Sequence, residues 1–113
     1  MTDSIEIQIY ETDSGKCPYL QWEGKLSRFA RTTITSRLAR VRLGLLGDCK
    51  AIQGFKGIYE LRVHLESGYR IYFGKQGDKI VLLLTGGDKG SQKKDIAKAY
   101  EYWQDHLNSN KDT

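Results

Sequence analysis

Residues 57–65 read Gly57-Ile58-Tyr59-Glu60-Leu61-Arg62-Val63-His64-Leu65, and after Glu66-Ser67-Gly68 the chain continues Tyr69-Arg70-Ile71-Tyr72-Phe73-Gly74. Successive side chains of a strand point to opposite faces, so alternation at period two predicts a strand in each segment. The first places Leu61, Val63 and Leu65 on one face and Glu60, Arg62 and His64 on the other. The second sets Tyr69, Ile71 and Phe73 against Arg70, Tyr72 and Gly74. Glu66-Ser67-Gly68 forms the turn between them, and Gln76-Gly77-Asp78 turns again into a strand from Lys79 to Thr85. Closely spaced strands joined by short glycine-containing turns predict an antiparallel meander. With the first two strands side by side, Arg62 and Arg70 are expected on one exposed surface.

Upstream, a short strand is expected over Ala51–Phe55. Before it, Ile34, Leu38, Val41 and Leu45 recur at the spacing of one helical face, predicting a helix from about Phe29 to Leu45. Gly44 and Gly47 are its stop signals. Pro18 suits the first position of a shorter helix beginning near Cys17, with Tyr19, Leu20, Trp22 and Leu26 as its apolar side. Nearer the start, Ile5, Ile7 and Ile9 alternate with Glu6 and Gln8 in a half-buried strand. Downstream, Gly86-Gly87-Asp88-Lys89-Gly90 ends the sheet. A last helix, from about Ser91 to Leu107, aligns Ile96, Ala99, Tyr100, Trp103 and Leu107, and the polar tail from Asn108 to Thr113 is expected to fray. The order is β-α-α-β-β-β-β-α, an α+β domain with a curved, mainly antiparallel sheet packed against helices. At 113 residues, the whole chain from 1 to 113 is expected to form one domain.

Eighteen Lys and Arg against fourteen Asp and Glu give a formal charge of +4, compatible with a polyanionic partner. The longest apolar run, Ile80-Val81-Leu82-Leu83-Leu84, falls far short of the roughly 20 residues that cross a bilayer. Met1-Thr2-Asp3-Ser4-Ile5-Glu6 lacks the basic start and apolar stretch of a signal peptide. A cytoplasmic protein without membrane contact is expected. Cys17 and Cys49 sit in no CxxC or Cys/His cluster, and no spacing links them to His64 or His106. The expectation is free thiols, no metal and no cofactor.

Chemistry has three places to sit. Arg62, Arg70, His64 and Tyr72 on one sheet face could bind phosphate and flank a reacting centre. The same face could equally be ordinary solvated surface on which Glu60 and Arg62 pair with neighbours. The loop around Gly87 leaves backbone donors at a helix start, with Lys89, Lys93 and Lys94 adding positive charge. It lacks the Gly-Lys-Ser/Thr of a Walker loop, and Ser91 could simply cap the helix. Arg31, Arg37, Arg40 and Arg42, with Lys50 and Lys56 beyond them, either form a solvated helix side or extend a nucleic-acid footprint. Trp22, Tyr100 and Trp103 lie on apolar stripes and read as core rather than as base-stacking platforms.

The segments Gly57–His64, Gly68–Phe73 and Leu82–Lys89, followed by Gln92 and Asp95-Ile96-Ala97, resemble in order and spacing the RelE/ParE superfamily, in its HigB-like "addiction module killer protein" branch. The resemblance spans roughly Ile5 to Tyr102 and implies a type II toxin neutralised by a cognate antitoxin, usually a helix-turn-helix protein in this branch. RelE-like members cut mRNA on the ribosome without a metal, by attack of a ribose 2′-OH on the adjacent phosphate. By position, Arg62 and Arg70 match strand arginines that stabilise phosphate, while Lys89 falls where the family keeps a catalytic or RNA-contacting group. Asp88 is its neighbour. Some members carry a His or Tyr near the C-terminal end of the site; here that region reads Asp88-Lys89-Gly90, which leaves His64 and Tyr72 as in-sheet candidates for proton transfer. Lys56, Gly87, Lys93 and Lys94 complete the expected RNA contacts. On the same fold the resemblance also admits a ParE-like DNA gyrase inhibitor, or a module that only binds its antitoxin.

Overall fold

Every element of the expected series is present, although several boundaries move. The computed structural model describes residues 4–65 and 68–110. Its elements are β1 (Glu6–Ile9), α1 (Pro18–Glu23), α2 (Arg28–Arg42), β2 (Cys49–Ala51), β3 (Ile58–Val63), β4 (Tyr69–Gln76) and β5 (Ile80–Gly87). A 3₁₀ turn at Lys89–Ser91 leads into α3 (Gln92–Asn110). The strands form one sheet in the order β1-β5-β4-β3-β2. The meander from β2 to β5 is antiparallel, and β1 closes the far edge parallel to β5.

Local chemistry accounts for the helix ends. Pro18 stands in the first turn of α1, where no intrahelical donor is needed. Ser27 caps α2, its hydroxyl accepting from the Ala30 N–H at 3.1 Å. At the other end the Leu45 N–H reaches the Arg40 carbonyl and the Gly44 N–H reaches Val41, with Gly44 at φ +85°. That is a Schellman closure, which needs a left-handed residue that glycine supplies without strain. It ends the helix before Leu45, so Leu45 leaves the expected core stripe and stands 58% exposed. The strand expected over Ala51–Phe55 lies earlier, at Cys49–Ala51, because Phe55 bonds back to Ile52 through a turn carrying Gly54 at φ +87°. Asn108 to Asn110 belong to α3 instead of the polar tail; residues 111–113, like Glu66 and Ser67 of the expected turn, lie outside the described residues.

Helices cover both faces of the sheet. On one, Tyr19, Ile34, Leu38 and Val41 pack against Leu61, Val63, Ile71, Phe73, Val81 and Leu83. On the other, Ala99 and Trp103 of α3 pack against Ile58, Tyr72, Leu82 and Leu84. The Glu60/Tyr72 face expected in solvent is therefore the α3 face: Glu60 is 1% exposed and Tyr72 0%. A sheet covered on both sides masks the usual apolar-in, polar-out alternation. Gly74 makes room for α3, since a Cβ there would run into the Trp103 ring, and Gly86 does the same for Trp22 of α1.

One irregularity bears directly on function. Tyr72 pairs with Thr85 whereas Phe73 pairs with Leu83, so Leu84 is an extra residue in β5. Directly opposed residues of antiparallel strands share a face, and the bulge shifts the alternation by one. Thr85 and Gly87 thereby join Tyr72 and Arg70 on the α3 face. Gly86 and Gly87 are buried strand residues, not the loop that the glycine run implied.

Candidate active site

The α3 face is fully roofed only along part of its length. Beyond the start of α3, β3 and β4 bring Arg62 directly opposite Arg70. Two like charges in register repel, yet both guanidinium groups turn toward one buried carboxylate. Glu60 Oε2 accepts from Arg62 Nε at 2.9 Å and lies 3.7 Å from Arg70 Nε. Its other oxygen accepts from the Gln92 side chain on α3 at 2.9 Å. Glu60 thus holds the two arginines in place and fastens the helix above them. Arg70 also donates to the Gly68 carbonyl at 3.1 Å.

The two arginines differ in access. The Arg62 side chain is 34% exposed and that of Arg70 only 12%, so the expected open pair is one accessible guanidinium above one largely sunk. Two donors here meet no hydrogen-bond partner among the described residues: Arg70 Nε and the Tyr72 hydroxyl, two residues apart on one face of β4. Buried unsatisfied donors are uncommon in folded proteins and tend to mark strained or functional positions. Burial first, then the negative charges of Glu60 and Asp95, pushes the Tyr72 phenol well above its ordinary range. At neutral pH it can donate a proton or hydrogen bond but not accept a proton.

Near the end of β3 stands a second, open pair. His64 and Asp48 bond at 2.5 Å with side chains 74% and 43% exposed. The His64 hydrogen bond holds the Asp48 carboxyl below its usual range, and the Arg62 charge adds to the effect. His64 lies two residues beyond Arg62, about 7 Å along an extended chain. Lys89 flanks the cluster's other side: a Cβ built at Gly68 would sit 3.7 Å from Arg70 Nη1 and 4.0 Å from Lys89 Cβ.

Asp88 has a structural task. Its carboxylate accepts from the backbone N–H groups of Gly90 (2.8 Å) and Ser91 (3.2 Å), occupying donors that the glycine loop was expected to offer an anion. Asp88, rather than Ser91, is therefore the N-cap. The Ser91 hydroxyl completes a capping box by accepting from the Asp88 N–H, and it donates to Asp95, whose carboxylate occupies the space above Gly87. Lys93 and Lys94 are exposed on the first turn of α3. Lys56 lies in the turn before β3, whose first residue is already about 13 Å along the strand from Arg62, and does not join the cluster. The sequence had suggested Glu60 only as a surface partner of Arg62. One signal of its role was available: an acidic residue two positions before an arginine, in a strand otherwise rich in apolar groups. Among the described residues no three His, Cys, Asp or Glu side chains converge as metal ligands.

Two consequences can be measured. Glu60→Gln removes the charge that compensates both arginines. Breaking a buried ion pair costs about 3–5 kcal/mol, less here because Arg62 is partly solvated. We expect a loss of about 2 kcal/mol in urea unfolding. The second concerns alkali. Tyr10, Tyr19 and Tyr72 all have raised phenol pKa values, in each case chiefly through burial. A phenol raised in the folded state contributes stability that is fully present below its unfolded pKa, near 10. That contribution is lost above pH 10, by up to about 1.4 kcal/mol per pH unit for each phenol. Urea unfolding between pH 9.5 and 11.5 should show this slope, made shallower by Tyr72→Phe.

A Haemophilus influenzae protein described as uncharacterized is 42% identical over 79 residues, spanning 69% of this chain and 78% of its own. Among solved structures, an arginine-to-alanine double mutant of Escherichia coli toxin RelE in the free state superposes with a TM-score of 0.63. The match covers 87% of this chain and 96% of that one at 16% identity, so the two share a fold. No protein-family profile matches the chain.

Proposed function

We propose that this chain, which belongs to one family with the Haemophilus influenzae protein, is the toxin of a type II toxin–antitoxin pair, a metal-independent endoribonuclease that cuts mRNA on the ribosome. The observation that carries the reading is the Arg62–Arg70 pair, set in register and steered by buried Glu60 at the open end of a RelE-like sheet. The HigB-like branch is part of the same proposal, resting on the motif order from Gly57 to Ala97.

The reaction requires a 2′-hydroxyl to attack the neighbouring phosphate, forming a 2′,3′-cyclic phosphate and releasing a 5′-hydroxyl. Charge accumulates on the phosphorane oxygens as the bond to the leaving oxygen breaks. Arg62, with its outer nitrogens free of Glu60, meets that charge, and Arg70 and Lys89 reinforce it from beneath and beside. His64, oriented by Asp48, accepts the 2′-hydroxyl proton, and the leaving 5′-oxygen takes its proton from solvent water. Lys89, Lys93 and Lys94 line the approach of the RNA backbone. The need for a 2′-hydroxyl makes the enzyme specific for RNA.

Expected partners are the ribosome with its mRNA and a cognate helix-turn-helix antitoxin. Leu20, Phe29, Leu43 and Leu45 are 45–68% exposed, apolar surface of the kind a protein partner covers. Among the described residues no helix is long and apolar enough to cross a membrane, and a cytoplasmic site of action is part of the proposal. The test is purified protein added to a reconstituted translation reaction and, separately, to a gyrase supercoiling assay. Shortened message with supercoiling unaffected is the expected pair of results. Intact message with supercoiling blocked would favour a ParE-like inhibitor.

A further inference from the structure

Beside the arginine pair lies a cleft of about 280 Å³ that the phosphate chemistry does not use. Its walls are Ile52, from the turn after β2, and Ile96 of α3, with Lys50 and Gln53 at the rim and Glu60 and Gln92 at the inner end. Ile52 and Ile96 are both partly buried, pack against the α3-face core and present apolar side chains across the gap. A slot flanked by two isoleucines, with polar groups at its rim and fixed at its inner end, suits a planar heterocycle better than a phosphate.

The polar end has a defined sense. Glu60 can only accept, so Gln92 must present its amide nitrogen to that carboxylate, at 2.9 Å. This fixes the amide's orientation and leaves Gln92 Oε1 without a described hydrogen-bond partner. The same carboxylate binds Arg62 through its other oxygen. The acceptor and the phosphate-binding guanidinium therefore stand on opposite sides of one group, as the base and phosphate of a single nucleotide would require.

We infer that this cleft is a nucleobase subsite, holding the base next to the phosphate gripped by Arg62 and reading its exocyclic position through Gln92 Oε1. The inference rests on the nuclease reading above. An acceptor at that position favours a base carrying an exocyclic amino group, adenine or cytosine, over guanine or uracil, which carry an oxygen there. Lys50 supplies a donor at the rim for the adjoining ring nitrogen. A site built around such a bond discriminates because the wrong base leaves a polar group unpaired.

Backbone and side-chain amide NMR shifts of the protein, titrated with cytidine, uridine, inorganic phosphate and cytidine 3′-phosphate, provide the test. Cytidine should move the signals of Ile52, Ile96 and the Gln92 amide, and uridine should bind at least fivefold more weakly. Cytidine 3′-phosphate should bind at least tenfold more tightly than phosphate. Gln92→Leu should erase the cytidine–uridine difference. Gln53→Trp, an aromatic at an exposed rim position that lines the cleft, should reduce the nucleotide to the affinity of phosphate. If phosphate shifts the arginine signals while no nucleoside perturbs the cleft, the base subsite is wrong and the nuclease reading stands. If nucleosides shift the cleft but phosphate leaves Arg62 and Arg70 unmoved, the subsite stands and the phosphate chemistry fails. Equal binding of cytidine and uridine overturns the assigned role of Gln92.

Discussion

Arg62→Ala is expected to slow ribosome-dependent mRNA cleavage by about 100- to 1000-fold, the usual effect of deleting one preorganised donor to a developing oxyanion. Its side chain reaches solvent and its backbone N–H bonds to Asp48, so truncation at Cβ leaves the strand pairing intact. Arg70→Ala is expected to cost as much rate and also about 1–3 kcal/mol of stability, because it removes a largely buried partner of Glu60. The two variants thus separate by unfolding even if their rates agree. Single-turnover cleavage on programmed ribosomes, read beside urea unfolding of the same samples, makes the comparison. A fully active Arg62→Ala would remove the arginine pair from the chemistry. Arg62→Lys should recover only part of the rate, since an ammonium puts all its donors on one nitrogen and lacks the planar fork that binds Glu60 through Nε while its outer nitrogens face a phosphate.

The second large effect belongs to Trp103. Trp103 is 5% exposed and its ring lies over Gly74, with Gly57 beside it, so this side chain is a main contact seating α3 on the sheet. Trp103→Ala is expected to cost about 4 kcal/mol, in the range for deleting a buried aromatic. For a chain of this size that lowers Tm on the order of 15 °C. Gly74→Ala approaches the same contact from the other side, adding a methyl where the ring already stands, and should cost about 1–3 kcal/mol. Because α3 carries Gln92, both changes should also loosen the tie to Glu60. Thermal unfolding of the two variants gives the values; losses under 1 kcal/mol in both would mean that other contacts seat the helix.

Much of this architecture could be read from residue periodicity. The Ile58–Val63 and Tyr69–Gly74 alternation fixed two paired strands and placed Arg62 beside Arg70, as found. The stripe Ile34, Leu38, Val41 located α2, and Trp22 and Trp103 were read as packing residues. What could not be read was which face meets which helix. Alternation distinguishes two faces but does not say that both are covered, so Glu60 and Tyr72 were assigned to water. Nor does a local pattern disclose the extra residue at Leu84, because a bulge is set by pairing with a partner strand and not by its own sequence. That one residue turns Thr85 and Gly87 toward Arg70 and Tyr72. The glycine run near Gly87 misled for a related reason: glycine is compatible with a loop, but here Gly86 and Gly87 admit Trp22 and Asp95 against a strand. Lys56 was grouped with the site by charge, and the length of β3 separates it.

We propose that this chain cuts messages under translation, using the arginines of β3 and β4. Primer extension tests it most directly, on one mRNA in two versions, translated and with its start codon removed, after inducing the protein or its Arg62→Ala variant in cells without antitoxin. Cuts within the reading frame of the translated version alone, absent with Arg62→Ala, are expected. Growth arrest with both messages intact, or equal cutting of the translated and untranslated versions, would contradict it.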